Sequence, residues 1–174
     1  ALWSRGEELI TDQFPELLLA AASLPNGLVL DGEIVAWSGG EVMPFGELQS
    51  RLGRKRVGAA LMQAIPVAFV TYDLLEVEGD DLRTVELDRR IKKLSELIPP
   101  QQLGARIFTV PELKASSWGN VSKWREKAAD FKTEGVMIKR RSSAYGVGRK
   151  KGDWFKWKVD PFTIDAVLVY AQQG

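Results

Sequence analysis

Residues 67–77, Val67-Ala68-Phe69-Val70-Thr71-Tyr72-Asp73-Leu74-Leu75-Glu76-Val77, carry apolar side chains at odd and even positions alike, and this run constrains the fold more than any other feature of the chain. Successive side chains of a strand point to opposite faces, so a strand apolar at both parities has to be covered on both sides. At least two layers must therefore pack around it. The chain has 174 residues, 45% of them hydrophobic, enough for one globular domain with a real core.

Around that strand the pattern predicts an α+β arrangement. Helices are expected over 13–24, with Pro15 in the first turn, over 44–52, 59–64 and 121–131, and over 85–97, the last closed by Pro99-Pro100. Strands are expected over 28–37, ended by Gly39-Gly40, and over 106–110, 134–140, 154–159 and 163–170, with a turn at Gly79-Asp80-Asp81. Residues 2–4 read as the end of a strand with no partner hairpin before it, and 163–170 as a strand with little chain after it. Both ends look cut, and Asp160-Pro161 reads as a hinge.

Composition removes whole classes of chemistry. There is no cysteine and no histidine, so thiolate metal sites, imidazole bases and Ser/His or Cys/His nucleophile systems are excluded. Acid–base and metal chemistry falls to Asp, Glu, Lys, Tyr or water. No apolar run approaches the roughly 20 residues of a membrane span, which with the lack of a signal segment gives the expectation of a cytoplasmic chain without membrane contact.

The charges are unevenly placed. Between Lys139 and Lys158 eight basic residues (Lys139, Arg140, Arg141, Arg149, Lys150, Lys151, Lys156, Lys158) face the single acid Asp153, a local +7, so the rest of a chain of net charge +1 carries −6. A second knot holds Arg51, Arg54, Lys55 and Arg56. Such clusters suit phosphate backbones, although many charge runs are only solvated faces.

Three short segments bring charge onto strands. In Leu30-Asp31-Gly32-Glu33-Ile34 the two acids share one face and the apolar residues the other, with Gly32 between them allowing close approach of backbone or ligand. In Trp154-Phe155-Lys156-Trp157-Lys158 the same alternation pairs Lys156 with Lys158, and Glu134-Gly135-Val136-Met137-Ile138-Lys139 sets an acid at the start of another strand. Carboxylates on one strand and paired lysines on another are what a metal-bound polyphosphate requires.

In order and approximate spacing, these segments and Phe69-Val70-Thr71-Tyr72-Asp73 resemble four consecutive motifs of bacterial ATP-dependent DNA ligases, and Leu2-Trp3-Ser4-Arg5-Gly6-Glu7-Glu8 is similar to the stretch just after that family's nucleophile motif. The resemblance implies the central part of an adenylation (nucleotidyltransferase, ATP-grasp-like ligase) domain, α+β with antiparallel sheets packed together and flanked by helices. Residues 1–159 would be that domain, N-terminally truncated, and 160–174 the hinge and start of an OB-fold domain. One departure is plain: the family's Lys-x-Asp-Gly nucleophile motif does not occur, since the only Asp-Gly, Asp31-Gly32, follows Val29 and Leu30. The chain by itself is therefore expected not to self-adenylate.

The resemblance also implies roles. Glu33 would lie near the adenylate ribose, Tyr72 would stack on adenine, and Lys139 would belong to the nucleotide site. Lys156 and Lys158 would hold the α-phosphate of ATP, and Glu134, with Glu33, would engage Mg2+. Arg5 would read a nick 5′-phosphate, with Arg51, Arg54, Lys55, Arg149 and Lys150 as further DNA contacts. The implied activity is sealing of nicks in duplex DNA through enzyme–AMP and DNA–adenylate intermediates, by a nucleoid-associated enzyme that is monomeric when whole. In this segment the edge at 2–4 would pair with another chain or fray. Two other readings share these features: an RNA ligase or mRNA-capping guanylyltransferase, and a non-catalytic nucleic-acid-binding module on a degenerate ligase fold. Glu33, Tyr72, Glu134, Lys156 and Lys158 are expected to line one cleft.

Overall fold

The computed structural model describes residues 1–160 except 55, 103, 149 and 150, together with 167 and 170. The strand expected over 163–170 and the expected hinge after Asp160 thus fall outside the described residues.

The apolar run is strand β3, Val67–Val77, and it is the centre of the main sheet. On one edge it pairs antiparallel with β1, Val29–Ser38, which folds back through Gly39-Gly40 onto the short β2, Glu41–Val42. On the other edge its C-terminal end pairs with β4, Asp80–Asp81, and its N-terminal half with β5, Ile107–Thr109. The β3–β5 pair is parallel, which departs from the purely antiparallel expectation. Helix α4, Leu87–Leu97, supplies the crossover that a parallel pair needs.

Helices cover the sheet for reasons written in their stripes. In α1, Pro15–Ala21, the proline stands at the first turn, where a missing N–H costs nothing, and Leu17 points inward. With Phe14, Ala36, Leu48, Ile65 and Val67 it forms one core cluster, closed by α2, Phe45–Gln49, and α3, Ala59–Ala64. Helix α4 buries Leu87, Arg90 and Leu94 on one stripe and ends at Ile98; Leu94, Ile98 and Leu74 form the second cluster. Helix α5, Trp118–Glu126, begins three residues earlier than the expected 121 because Ser117 caps it, accepting from the Asn120 amide at 3.3 Å. Beyond it lies a separate two-stranded sheet, β6 Gly135–Lys139 antiparallel to β7 Trp154–Lys158.

One expected site residue is displaced into the core. Arg51, grouped by sequence with DNA-facing cations, is fully buried. Its guanidinium forks onto Glu16 at 2.5 and 3.0 Å and donates to the Ile65 and Gln13 carbonyls at 2.9 Å, while the Phe14 ring lies 5.2 Å away. It ties α1 to the residues around α2 and α3 and cannot reach a phosphate. Residues 2–4, expected to leave an edge for another chain or to fray, pair on one side with residues 8–10: Trp3 bridges Leu9, and Ser4 N–H donates to the Glu8 carbonyl at 2.9 Å.

Candidate active site

One wall of the site is the β6–β7 hairpin. Its register sets Met137 opposite Lys156, Gly135 opposite Lys158 and Lys139 opposite Trp154, and residues directly opposite in an antiparallel pair share a face. Lys139, Lys156 and Lys158 therefore project from the same side. Glu134, at the entry to β6, receives both neighbouring ammonium groups on Oε2, Lys158 at 2.8 Å and Lys156 at 3.3 Å. Hydrogen bonds from Lys158 and then Lys156 hold its carboxyl below the usual glutamate range. All three groups are exposed, so the pairs contribute little to stability. Two ammonium groups around one carboxylate leave a surplus positive charge open to a further anion. This close seating depends on Gly135: a Cβ there would collide with the Trp157 carbonyl and lie 2.7 Å from Lys158 Cα.

The other wall is β1 against β3. The register shifts from Asp31–Asp73 to Gly32–Thr71, so Tyr72 is the extra residue of a bulge on β3, while β1 keeps its alternation and Asp31 and Glu33 stay on one face. The Tyr72 hydroxyl lies 3.5 Å from Asp31 Oδ1. Burial, then the charges of Asp31 and Glu33, push its ionisation well above the ordinary tyrosine range. Gly32 is enforced by packing, since a Cβ would come within 2.5 Å of the Val70 carbonyl and 2.6 Å of the Phe69 ring.

Lys139 joins the walls. Its ammonium sits 4.5 Å from the Tyr72 ring centre and 4.0 Å from that of Trp154, half-buried between them, and burial lowers its pKa despite the attraction of Asp73 and Asp31. Beneath this layer Arg90 and Asp73, both fully buried, form a bidentate pair at 2.8 and 3.0 Å. Arg90 also donates to the Val85 carbonyl and, at 3.2 Å, to that of Ser143, in the β6–β7 connection. Tyr145 of the same connection donates to Asp31 Oδ2 at 2.8 Å, and Trp154 Nε1 donates to Ser143 Oγ at 2.8 Å.

The expected residues thus fall into two groups. Glu134, Lys156 and Lys158 are in direct contact at one end of the hairpin; Glu33 and Tyr72 lie together on the β1–β3 wall, and Lys139, at the hairpin's other end, contacts Tyr72. Among the described residues no three carboxylates converge as a ready-made metal cluster. Arg5 is exposed in the N-terminal turn, and Arg54 is exposed with Nε donating to the Ser50 carbonyl at 2.7 Å. Arg51 is in the core, and Lys55, Arg149 and Lys150 lie outside the described residues. Sequence reasoning missed Asp73, Arg90, Ser143, Tyr145 and Trp154. Asp73 and Arg90 did carry a signal: an acid inside an apolar strand and an arginine on an apolar helix stripe each need a buried partner.

The family model described as ATP dependent DNA ligase domain matches residues 1–158. A probable DNA ligase of Koribacter versatilis is 33% identical over 196 residues, covering 99% of this chain and 34% of that protein. A DNA ligase of Haloferax volcanii is 32% identical over 177 residues, covering 100% and 29%. The chain spans about a third of the length of these relatives. Among solved structures, the ligase domain of M. tuberculosis LigD aligns with TM-score 0.63 and 26% identity over 87% of this chain and 44% of that one. A mycobacterial DNA ligase D complexed with ATP and MES aligns with TM-score 0.64 and 26% identity, over 87% and 45%.

Proposed function

The chain belongs to the ATP-dependent DNA ligase domain family, and from that premise we propose that it forms the nucleotide-lined part of an enzyme that seals nicks in duplex DNA with ATP. The observation that carries this reading is the shared face of the hairpin: two lysines clasp one carboxylate at one end, and a third lies over Tyr72 at the other. A ligand with an anionic chain at one end and a flat base at the other matches both.

In this reading Tyr72 is the platform for adenine, Glu33 hydrogen-bonds the ribose, and Lys139 holds Tyr72 while facing the nucleotide. Lys156 and Lys158 take the α-phosphate. Fixed cations there offset the charge that builds on the phosphoryl oxygens as the bond to pyrophosphate breaks. Phosphate would replace Glu134 as the partner of the lysines and release its carboxylate. A freed carboxylate is a hard oxygen donor of the kind Mg2+ takes beside the phosphates of a nucleotide. Glu134, with Glu33 as the second acid, would hold the ion, and it would supply charge neutralisation at the phosphates.

The amine that attacks the α-phosphorus is not supplied by the described site. No Lys-x-Asp-Gly string occurs in residues 1–174, and Lys156 and Lys158 both point at Glu134 Oε2, where this reading puts the phosphate they hold. The family's lysine motif would complete the site, forming enzyme–AMP, passing AMP to the 5′-phosphate of a nick and letting the 3′-hydroxyl displace it. Arg5 and Arg54, with Lys55, Arg149 and Lys150, are the DNA-backbone candidates, and 160–174 would lead by a hinge into an OB-fold domain. The test is titration of the chain with ATP, GTP and AMP. Binding of ATP and AMP in preference to GTP, weakened by Lys156→Ala, is expected; equal affinity for GTP, or no effect of the substitution, overturns the reading.

A further inference from the structure

The two walls meet at one carboxylate. Asp31 Oδ2 accepts from the Tyr145 hydroxyl at 2.8 Å, and the Tyr72 hydroxyl lies 3.5 Å from Oδ1. Tyr72 stands on β3 of the main sheet, whereas Tyr145 belongs to the connection of the β6–β7 hairpin. The Tyr145 ring meets Trp154 edge-on with centres 5.6 Å apart, Trp154 faces the Lys139 ammonium at 4.0 Å, and Lys139 lies 4.5 Å from the Tyr72 ring centre. The circuit Asp31, Tyr145, Trp154, Lys139, Tyr72 closes on itself.

We propose that Tyr145 is a positioning residue of the site: its bond to Asp31 fixes the Tyr72 platform and sets the spacing between the β1–β3 wall and the lysine-bearing hairpin. The proposal rests on the nucleotide reading and deepens it, by naming what keeps the base end and the phosphate end in register for one ligand. Other ties to the connection run elsewhere. Arg90 holds the Ser143 carbonyl, and the Tyr145 amide donates to the Arg83 carbonyl at 2.7 Å, both on the α4 side. The Tyr145 hydroxyl is what reaches β1. A hydroxyl bonded to a carboxylate is shorter and stronger than a neutral pair, and here it is half-buried, where water competes less. A reacting centre displaced by about 1 Å loses much of its rate, so a tie of this kind bears on function beyond its contribution to folding.

Tyr145→Phe removes the hydroxyl and keeps the ring against Trp154. The chain has no cysteine, so spin labels attach only where cysteines are introduced, at the exposed Ser38 on β1 and Phe155 on β7. The distance distribution between them should broaden in Tyr145→Phe, and ATP affinity, measured well below the melting temperature, should fall roughly tenfold. Tyr145→Phe and Lys156→Ala should be non-additive for ATP binding, as residues acting on one ligand through one geometry are. A lower melting temperature with unchanged distance distribution and unchanged ATP affinity would make Tyr145 merely structural and overturn the proposal. If the distribution broadens but the wild-type chain binds no ATP, the nucleotide reading fails while the tie between the walls stands.

Discussion

Arg90 grips both carboxylate oxygens of Asp73 in a place where neither side chain touches solvent. Leaving either partner alone strands a charge in the core, so Arg90→Ala and Asp73→Ala should each destabilise the fold by about 3–5 kcal/mol. A shift of the urea midpoint at unchanged slope measures this. The double replacement Asp73→Leu, Arg90→Met should recover much of the loss, and a double variant as unstable as the singles would show that the pair supplies more than mutual neutralisation.

Arg51 and Arg54 are three positions apart and should behave as opposites. Arg51 is buried on Glu16, so Arg51→Ala should cost about 3 kcal/mol of stability. Arg54 is exposed, so Arg54→Ala should leave stability within about 0.5 kcal/mol while lowering DNA affinity and flattening its dependence on salt. Chemical denaturation and DNA titration at two salt concentrations separate the pair.

Tyr72 and Tyr145 hold their protons more tightly in the folded chain than in the unfolded one, chiefly through burial. The folded state thus binds more protons once pH exceeds the ordinary tyrosine value near 10, and stability should fall with rising pH above that point. Absorbance of tyrosinate should show both rings titrating late or only on unfolding. Two Tyr→Phe variants identify them, and ionisation of either in the ordinary range would contradict the contacts with Asp31.

With α-labelled ATP and Mg2+, residues 1–174 should acquire no acid-labile, base-stable label, because in the proposed site Lys156 and Lys158 bind the phosphate and the attacking amine belongs to the Lys-x-Asp-Gly motif, which these residues do not contain. When the family's lysine motif is present, Lys156→Ala or Lys158→Ala should lower adenylation roughly a hundredfold or more. Robust labelling of residues 1–174 would mean that one of their own lysines is the nucleophile.

Elements fixed by local pattern could be read from the sequence. Strand β3 runs over Val67–Val77 and helix α3 over Ala59–Ala64, as alternation and periodicity predict. The pairing of Lys156 with Lys158 came from the same rule. Structure that depends on partners distant in the chain could not be read. Alternation is blind to strand direction, so the parallel β3–β5 pair was missed, and composition could not tell an arginine turned inward onto Glu16 from the exposed Arg54 and Arg56. Tyr145 lies in an irregular connection with no periodicity to orient it, and its partner is 114 residues away.

Each acid proposed for the nucleotide site adjoins a glycine whose missing side chain is occupied by someone else's backbone: Gly32 by the Val70 carbonyl, Gly135 by that of Trp157. Were every amino acid sampled at these two positions, glycine alone should survive selection, for want of space and not for any chemistry of its own. Drift around the site is thereby channelled. Carboxylates can be exchanged and regained by single steps, but the backbone crossings beside them cannot be approached gradually, and a lineage that lost either glycine would have to rebuild the strand pair before it could recover this arrangement.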